Sequence, residues 1–223
     1  MTPRGRQGGG RTSRAQERGV IVLAGEDQND CEILAALIRA HQPDVDATAK
    51  LVRINDPVRL RKKTGPDLAA AVKALAGKAR AKARQQRAEL LGFVVHEDLD
   101  GYTDAQYDQV RKTLADEFTR QCQEFRTALA LAAWESEGWL LLFPDAFPYV
   151  RPRWKVPGRL LDRDTGRLKD AKEELKRGLG SPVFRESDGP AVAREALKHR
   201  LIPSPRGSNR SYEDFVDELT AWT

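Results

Sequence analysis

Short apolar runs alternate with longer amphipathic stretches along most of the chain. The runs at 19–24, 50–54, 91–95 and 127–133 have the length and composition of strands buried in a sheet, although the last could also continue a helix. Strands that alternate with helices are typical of a parallel sheet. The pattern therefore predicts one α/β domain with a mostly parallel central sheet, helices on both faces and a helical C-terminal extension.

The stretches around the apolar runs carry helix signals. Apolar residues recur there at helical spacing, and residues that cap helices stand at their beginnings: Asn29 or Asp30 for the first helix, Asp104 for a later one and Ser211 for the last. The predicted helices cover about 30–41, 67–87, 104–125, 168–179, 191–201 and 212–222.

Composition divides the chain further. Residues 1–18 are rich in Gly and Arg and predict a flexible basic tail. We expect residues 19–145 to form the α/β core, and 146–223 a loop and helical extension packed on the same domain. The net charge of +5 and the pI near 9.3 are compatible with a polyanionic partner but do not require one.

The cysteine content and hydropathy exclude several classes of protein. Cys31 and Cys122 form no CxxC pair and no Cys/His cluster, so neither a disulfide framework nor a structural zinc site is expected. No apolar run approaches the length of a membrane span, and no signal-peptide core is visible. We therefore expect a cytoplasmic protein in a reducing compartment.

A basic stretch from 59 to 87 contains ten Arg and Lys residues and includes the second predicted helix. A helix with such a face can lie along a phosphate backbone. A solvated helix surface explains the same pattern, and both interpretations stay open.

Acidic residues follow three of the predicted strands. Glu26 and Asp30 come after the first strand, Asp98 and Asp100 after the third, and Glu137 after the fourth. Asp98 and Asp100 are two apart, so on an extended chain they point to the same side. If the sheet is parallel, all of these carboxylates converge at one edge and suit Mg²⁺ or Mn²⁺. Taken singly, each cluster is also explained as a solvated turn or helix start.

Three motifs carry a resemblance to a known superfamily: Glu26-Asp27-Gln28-Asn29-Asp30, Asp98-Leu99-Asp100-Gly101 and Glu137-Gly138-Trp139-Leu140-Leu141. Their order and placement after strands resemble those of the Toprim (topoisomerase–primase) superfamily, in particular its small bacterial members related to the overcoming-lysogenization-defect nucleases. The likeness spans about 20–145. The chain departs from the pattern where Asp27 replaces a Gly and Asp30 replaces a longer Glu.

The resemblance implies roles for these residues. Glu26 would act as general acid/base or as a metal ligand, Asp98 and Asp100 would bind Mg²⁺, and Glu137 with Asp30 would complete a second metal position. Lys172 would supply a cation that steadies the phosphate.

The resemblance also implies a function, a metal-dependent nuclease that cleaves DNA or RNA in anti-phage defence or nucleic-acid processing, with an ATPase as a partner protein. A non-catalytic Toprim-like module that binds nucleic acid or a protein is the alternative. The two differ in one requirement, because a nuclease needs Glu26 together with Asp98 and Asp100.

Overall fold

The computed structural model describes residues 18–222, and its centre is a four-stranded parallel sheet. The strands are β1 (Gly19–Ala24), β2 (Ala49–Arg53), β3 (Leu90–Asp98) and β4 (Arg126–Ala132), in the spatial order β2-β1-β3-β4. All three neighbouring pairs run parallel. The predicted α/β class is therefore confirmed, and so is the strand at 127–133.

Nine α-helices surround this sheet within residues 18–222. They are α1 (Gln28–His41), α2 (Val45–Thr48), α3 (Gly65–Gln85), α4 (Ala105–Gln121), α5 (Glu137–Leu140), α6 (Phe147–Val150), α7 (Ala171–Gly178), α8 (Gly189–Lys198) and α9 (Arg210–Thr220). None of the helices in this part of the chain is long and apolar enough to cross a membrane.

Alternating side chains of the strands build one core on each face of the sheet. Ile21, Leu23 and Val94 face α1 and the C-terminal helices. Val20 and Phe93 face α3 and α4. Because the side chains of a strand alternate between faces, each apolar run serves both cores, which explains its almost unbroken hydrophobicity.

The C-terminal extension packs on the core, with α8 beside α1 and α9 beside β4. Polar side chains of the extension reach the outer edge of β4. Glu218 accepts a hydrogen bond of 2.7 Å from the Leu129 backbone N–H, and the Trp222 indole donates one of 3.2 Å to the Thr127 carbonyl. These contacts join the last helix to the sheet.

Two predicted helix caps are wrong. Helix α1 begins earlier than predicted, because Asp27 is its N-cap and forms a reciprocal capping box with Asp30. Helix α9 is capped by Asn209, which accepts from the Tyr212 N–H, whereas Ser211 is buried and accepts bonds from the Ala133 N–H and the Trp139 indole. Asp104 caps α4 as predicted.

The third strand also differs from its prediction. It continues to Asp98, so His96 and Glu97 belong to the strand. Asp100 has a φ of 52°, so the chain has already left the extended conformation there. The two-residue alternation expected for Asp98 and Asp100 therefore does not hold.

Two further predictions concern the cysteines and the basic tail. The two cysteines are free and buried, with Cys31 on one face of the sheet and Cys122 on the other. The predicted basic tail lies, except for Arg18, outside the described residues.

Candidate functional site

The carboxyl edge of the sheet gathers the acids that the sequence places after separate strands. Glu26 follows β1, and its side chain accepts a hydrogen bond of 3.1 Å from the Asp98 N–H at the end of β3. Asp30 lies in the first turn of α1 and Glu137 at the start of α5. The convergence follows from the parallel sheet, because all of its strands end at this edge.

His96 is buried between two of these acids. Its Nδ1 lies 3.5 Å from Oδ2 of Asp30, and its Nε2 lies 3.5 Å from Oδ1 of Asp98. Burial disfavours a charged imidazole, but Asp30 and Asp98 outweigh it and raise the pKa of His96 above its usual value. Burial would raise the pKa of Asp30, but its contact with His96 lowers that pKa to about 2. His96 therefore offsets part of the negative charge.

Asp98 is the least compensated acid of the group. Burial raises its pKa to about 8 against the lowering effect of His96, and the nearby carboxylates of Asp30, Glu26 and Glu137 add to the rise. Its Oδ1 is buried and has no hydrogen-bond partner among residues 18–222. A buried carboxylate oxygen without a partner is costly, so a proton or a cation belongs at this position.

Glu137 forms the far side of the group and is also buried. Burial and the neighbouring Glu135 raise its pKa to about 7, although Lys172 opposes the shift. The Lys172 ammonium lies 2.8 Å from Glu186 and 3.6 Å from Glu135. Lys172 is thus close to the group, but two carboxylates already pair with the charge that was expected to steady a phosphate.

Asp100 points to a different partner. It forms a salt bridge with Arg61, and its side chain is 63% exposed, against 26% for Asp98. The positive φ of Asp100 turns the backbone at this position. The structure therefore does not bring Asp100 beside Asp98 as a second equivalent ligand.

Glu97 has a role that the sequence did not reveal. Its side chain is buried on the opposite face from Asp98, where it accepts backbone N–H bonds of 2.7 and 2.8 Å from Leu60 and one of 2.8 Å from Arg61. These donors lie 36 and 37 residues away in the chain, so no local pattern predicts them. Glu97 fixes the loop before α3 at the carboxyl edge.

A cleft opens between that loop and Glu26. Its volume is about 300 Å³, and it is lined by Glu26, Glu97, Arg59, Arg61 and Lys62. The basic stretch of the sequence therefore begins directly beside the acidic edge. Arg61 of this loop is close enough to Glu26 for their charges to interact.

The side chains at the edge fit a hard divalent cation in their chemistry. They offer carboxylate oxygens, one of them buried and unpartnered. The part of the chain from 18 to 222 contains no group of three or more His, Cys, Asp or Glu side chains already arranged to hold a metal ion. Mg²⁺ commonly uses one or two carboxylates, and water and substrate phosphates complete its shell. Asp98 and Glu26 are the residues that would hold it, with Asp30 and Glu137 behind them.

Comparisons of the chain with protein-family models, curated protein sequences and solved structures gave no match. Membership of the Toprim superfamily therefore stays a prediction that rests on the three acidic motifs.

Proposed function

We propose that this protein is a metal-dependent phosphodiesterase that cleaves DNA or RNA. The observation that carries the proposal is the buried Oδ1 of Asp98, which accepts no hydrogen bond among residues 18–222, has a long ionic contact of 3.5 Å with His96, and lies among Glu26, Asp30 and Glu137 at the carboxyl edge of a parallel sheet. A cleft lined by three basic side chains adjoins this edge. Phosphoryl transfer uses carboxylates that bind a metal ion next to positively charged side chains that bind the phosphate.

The position of each residue determines its proposed role. Asp98 and Glu26 hold the metal, and a bound Mg²⁺ or Mn²⁺ would polarise the phosphate and lower the pKa of a water molecule. Glu26, which is partly open to the cleft, also acts as general acid/base. Asp30 and Glu137 keep the local field negative, and His96 limits that charge while the metal is away.

The biological setting proposed for this activity comes from the Toprim resemblance alone. It is anti-phage defence or nucleic-acid processing in the cytoplasm, beside an ATPase partner.

One observation favours a second function, a module that binds nucleic acid without cleaving it. His96 bridges Asp30 and Asp98 and compensates part of their charge with no metal. In such a module the acids would serve only the structure of the edge, and the basic loop would carry the binding.

The test is a cleavage panel of plasmid DNA, single-stranded DNA, total RNA and tRNA, each with Mg²⁺, with Mn²⁺ and with EDTA. We expect metal-dependent cleavage that Asp98→Asn and Glu26→Gln each reduce at least about 100-fold, since each removes a group needed for phosphoryl transfer.

Asp116→Asn is the matched control, because it removes one carboxylate from an exposed ion pair on α4. It should leave cleavage within about two-fold of wild type. The catalytic proposal is wrong if EDTA leaves cleavage unchanged or if both site variants cleave like the control. Binding of these nucleic acids without any cleavage, also after addition of the proteins that co-purify, would favour the second function.

A further inference from the structure

The loop between β2 and α3 crosses the carboxyl end of β1. Its backbone is tied there by N–H bonds from Ile54 to the Leu23 carbonyl at 2.8 Å and from Val58 to the Gly25 carbonyl at 3.0 Å. The side chains of Val58 and Leu60 are buried and anchor it from below. The loop is therefore a fixed part of the edge, placed one residue from Glu26.

The buried carboxylate of Glu97 fixes the next part of this loop through the backbone N–H groups of Leu60 and Arg61. A turn closes where the Lys63 N–H donates to the Leu60 carbonyl at 2.8 Å. Because the backbone is held from both sides, the basic side chains on it are presented from a defined position. Preorganised groups bind a ligand with less loss of entropy.

The basic side chains of the turn differ in whether they form an ion pair with a carboxylate. Arg61 pairs with Asp100. Arg59 and Lys62 are exposed, and neither side chain has a hydrogen bond or an ion pair within residues 18–222. Both line the cleft beside Glu26. Two uncompensated cations thus stand next to a group of acids that would otherwise repel a polyanion.

We infer that Arg59 and Lys62 bind a backbone phosphate of the nucleic-acid strand and hold that strand against the acidic edge. The inference rests on the proposed function and names the part of the site that binds its substrate. The cleft of about 300 Å³ has room for a phosphate and its sugar. All five residues that line the cleft carry charged groups, and three of them are basic, which favours a phosphate over an apolar ligand.

The position of α3 offers an internal comparison. The helix starts at the carboxyl edge, immediately after the loop, and ends near the amino-terminal edge, where β3 begins. Lys82 and Arg84 lie in its last turn, and neither has an ion pair among the described residues. They carry the same charge as Arg59 and Lys62 but stand at the opposite end of the sheet.

The experiment measures binding without cleavage. A 5′-fluorescein-labelled 20-nucleotide single-stranded DNA is titrated with full-length protein in EDTA, and its fluorescence anisotropy is followed at several salt concentrations. We expect Arg59→Ala/Lys62→Ala to weaken binding at least about five-fold and to make the slope of log K against log salt shallower by about 0.7, since one phosphate of a single strand is no longer neutralised.

Lys82→Ala/Arg84→Ala, which removes the same net charge, should change the affinity less than about two-fold. Equal weakening by both double variants would overturn the inference, because it would show only general attraction between charges. An unchanged affinity in Arg59→Ala/Lys62→Ala, or no binding by wild type, would also overturn it. Circular dichroism spectra that match wild type ensure that folded proteins are compared.

The two proposals can fail separately. Binding is measured without metal, so loss of binding in Arg59→Ala/Lys62→Ala supports the phosphate contact even if the cleavage panel is blank. Metal-dependent cleavage with wild-type affinity in this double variant would leave the nuclease standing and reject the phosphate contact.

Discussion

The two faces of the sheet treat adjacent carboxylates differently at the end of β3. On one face, Glu97 accepts hydrogen bonds from two backbone N–H groups of the loop that crosses the edge, and the Leu60 N–H is shared between both carboxylate oxygens. On the other face, Asp98 has a buried oxygen that accepts no hydrogen bond among residues 18–222. Its ionic contact with His96 is 3.5 Å long, and three other acids lie nearby. Whether a buried acid serves structure or chemistry depends here on whether backbone donors reach it.

The comparison also shows where a cation can be useful. At Glu97 burial also raises the pKa, but the backbone N–H groups of Arg61 and Leu60 oppose that shift, so a metal would displace good hydrogen bonds. At Asp98 the charge is opposed mainly by His96, and burial with like charges keeps the pKa high. A divalent cation would stabilise only the second face.

The largest effect is expected when the structural acid is removed. Glu97→Ala leaves the N–H groups of Leu60 and Arg61 without their acceptor, and Leu60 is buried. We expect a loss of about 3 kcal/mol in the free energy of unfolding, measured by urea denaturation. Glu124→Ala, which removes an exposed carboxylate paired with Arg80, should cost less than about 1 kcal/mol. Equal losses would show that Glu97 is not the anchor of the loop.

Replacing Asp98 should change the free energy of unfolding in the opposite direction from replacing Glu97. At about pH 7 the folded chain keeps Asp98 protonated, because burial and the repulsion of neighbouring carboxylates disfavour its charge. Asp98→Asn removes the cost of this proton uptake, so the metal-free protein should gain about 1 kcal/mol in the free energy of unfolding. A destabilised Asp98→Asn would mean that the His96 contact matters more than the repulsion.

The pH dependence follows from the same shift. Between about pH 4 and pH 8 the folded chain keeps a proton on Asp98 that the unfolded chain releases, since its pKa is raised from 3.8 to about 8. Rising pH therefore favours unfolding over this range. We expect the Tm of wild type in EDTA to fall between about pH 6 and pH 8, and the fall to be smaller in Asp98→Asn. Identical slopes would remove Asp98 as the cause.

Added metal should restore what rising pH removes. At about pH 8, 10 mM Mg²⁺ should stabilise wild type by about 1 kcal/mol if it binds in the millimolar range, since it binds the deprotonated acids of the folded state. Calorimetry should show no such gain for Asp98→Asn, whereas Glu124→Ala should keep it. A gain of the same size in Asp98→Asn would place the metal elsewhere.

The smallest effect is expected at Asp100. Its salt bridge with Arg61 is exposed on the Asp100 side, so Asp100→Asn should change stability by less than about 0.5 kcal/mol. Since Asp100 stands apart from the other acids, cleavage should fall less than about ten-fold, far less than with Asp98→Asn. A loss as large as that of Asp98→Asn would show that Asp100 holds the metal after all.

The sequence predicts the sheet well because its signals are local. The apolar runs and the helical spacing between them reflect burial on two faces, and the structure confirms them within a few residues. The helix caps were harder to predict because Asp27, Asn29 and Asp30 all have suitable side chains, and only the structure shows which one reaches the backbone.

The site is predictable only in part, because some of its contacts join residues that are far apart in the sequence. A parallel sheet brings Glu26, Asp98 and Glu137 to one edge, and that follows from the order of the strands. Glu97 cannot be separated from Asp98 by sequence, since its donors come from a distant loop. Asp100 differs because of one backbone angle, which a two-residue spacing does not encode.

The contacts of α9 with β4 have a consequence for the tendency of the protein to aggregate. An outer strand with free N–H and C=O groups is a template on which another chain can add a strand. Glu218 and Trp222 engage such groups at Leu129 and Thr127. The exposed groups of this outer strand are therefore covered by a helix that follows all four strands in the sequence. A chain cut before α9 should form soluble oligomers or precipitate, which light scattering would detect.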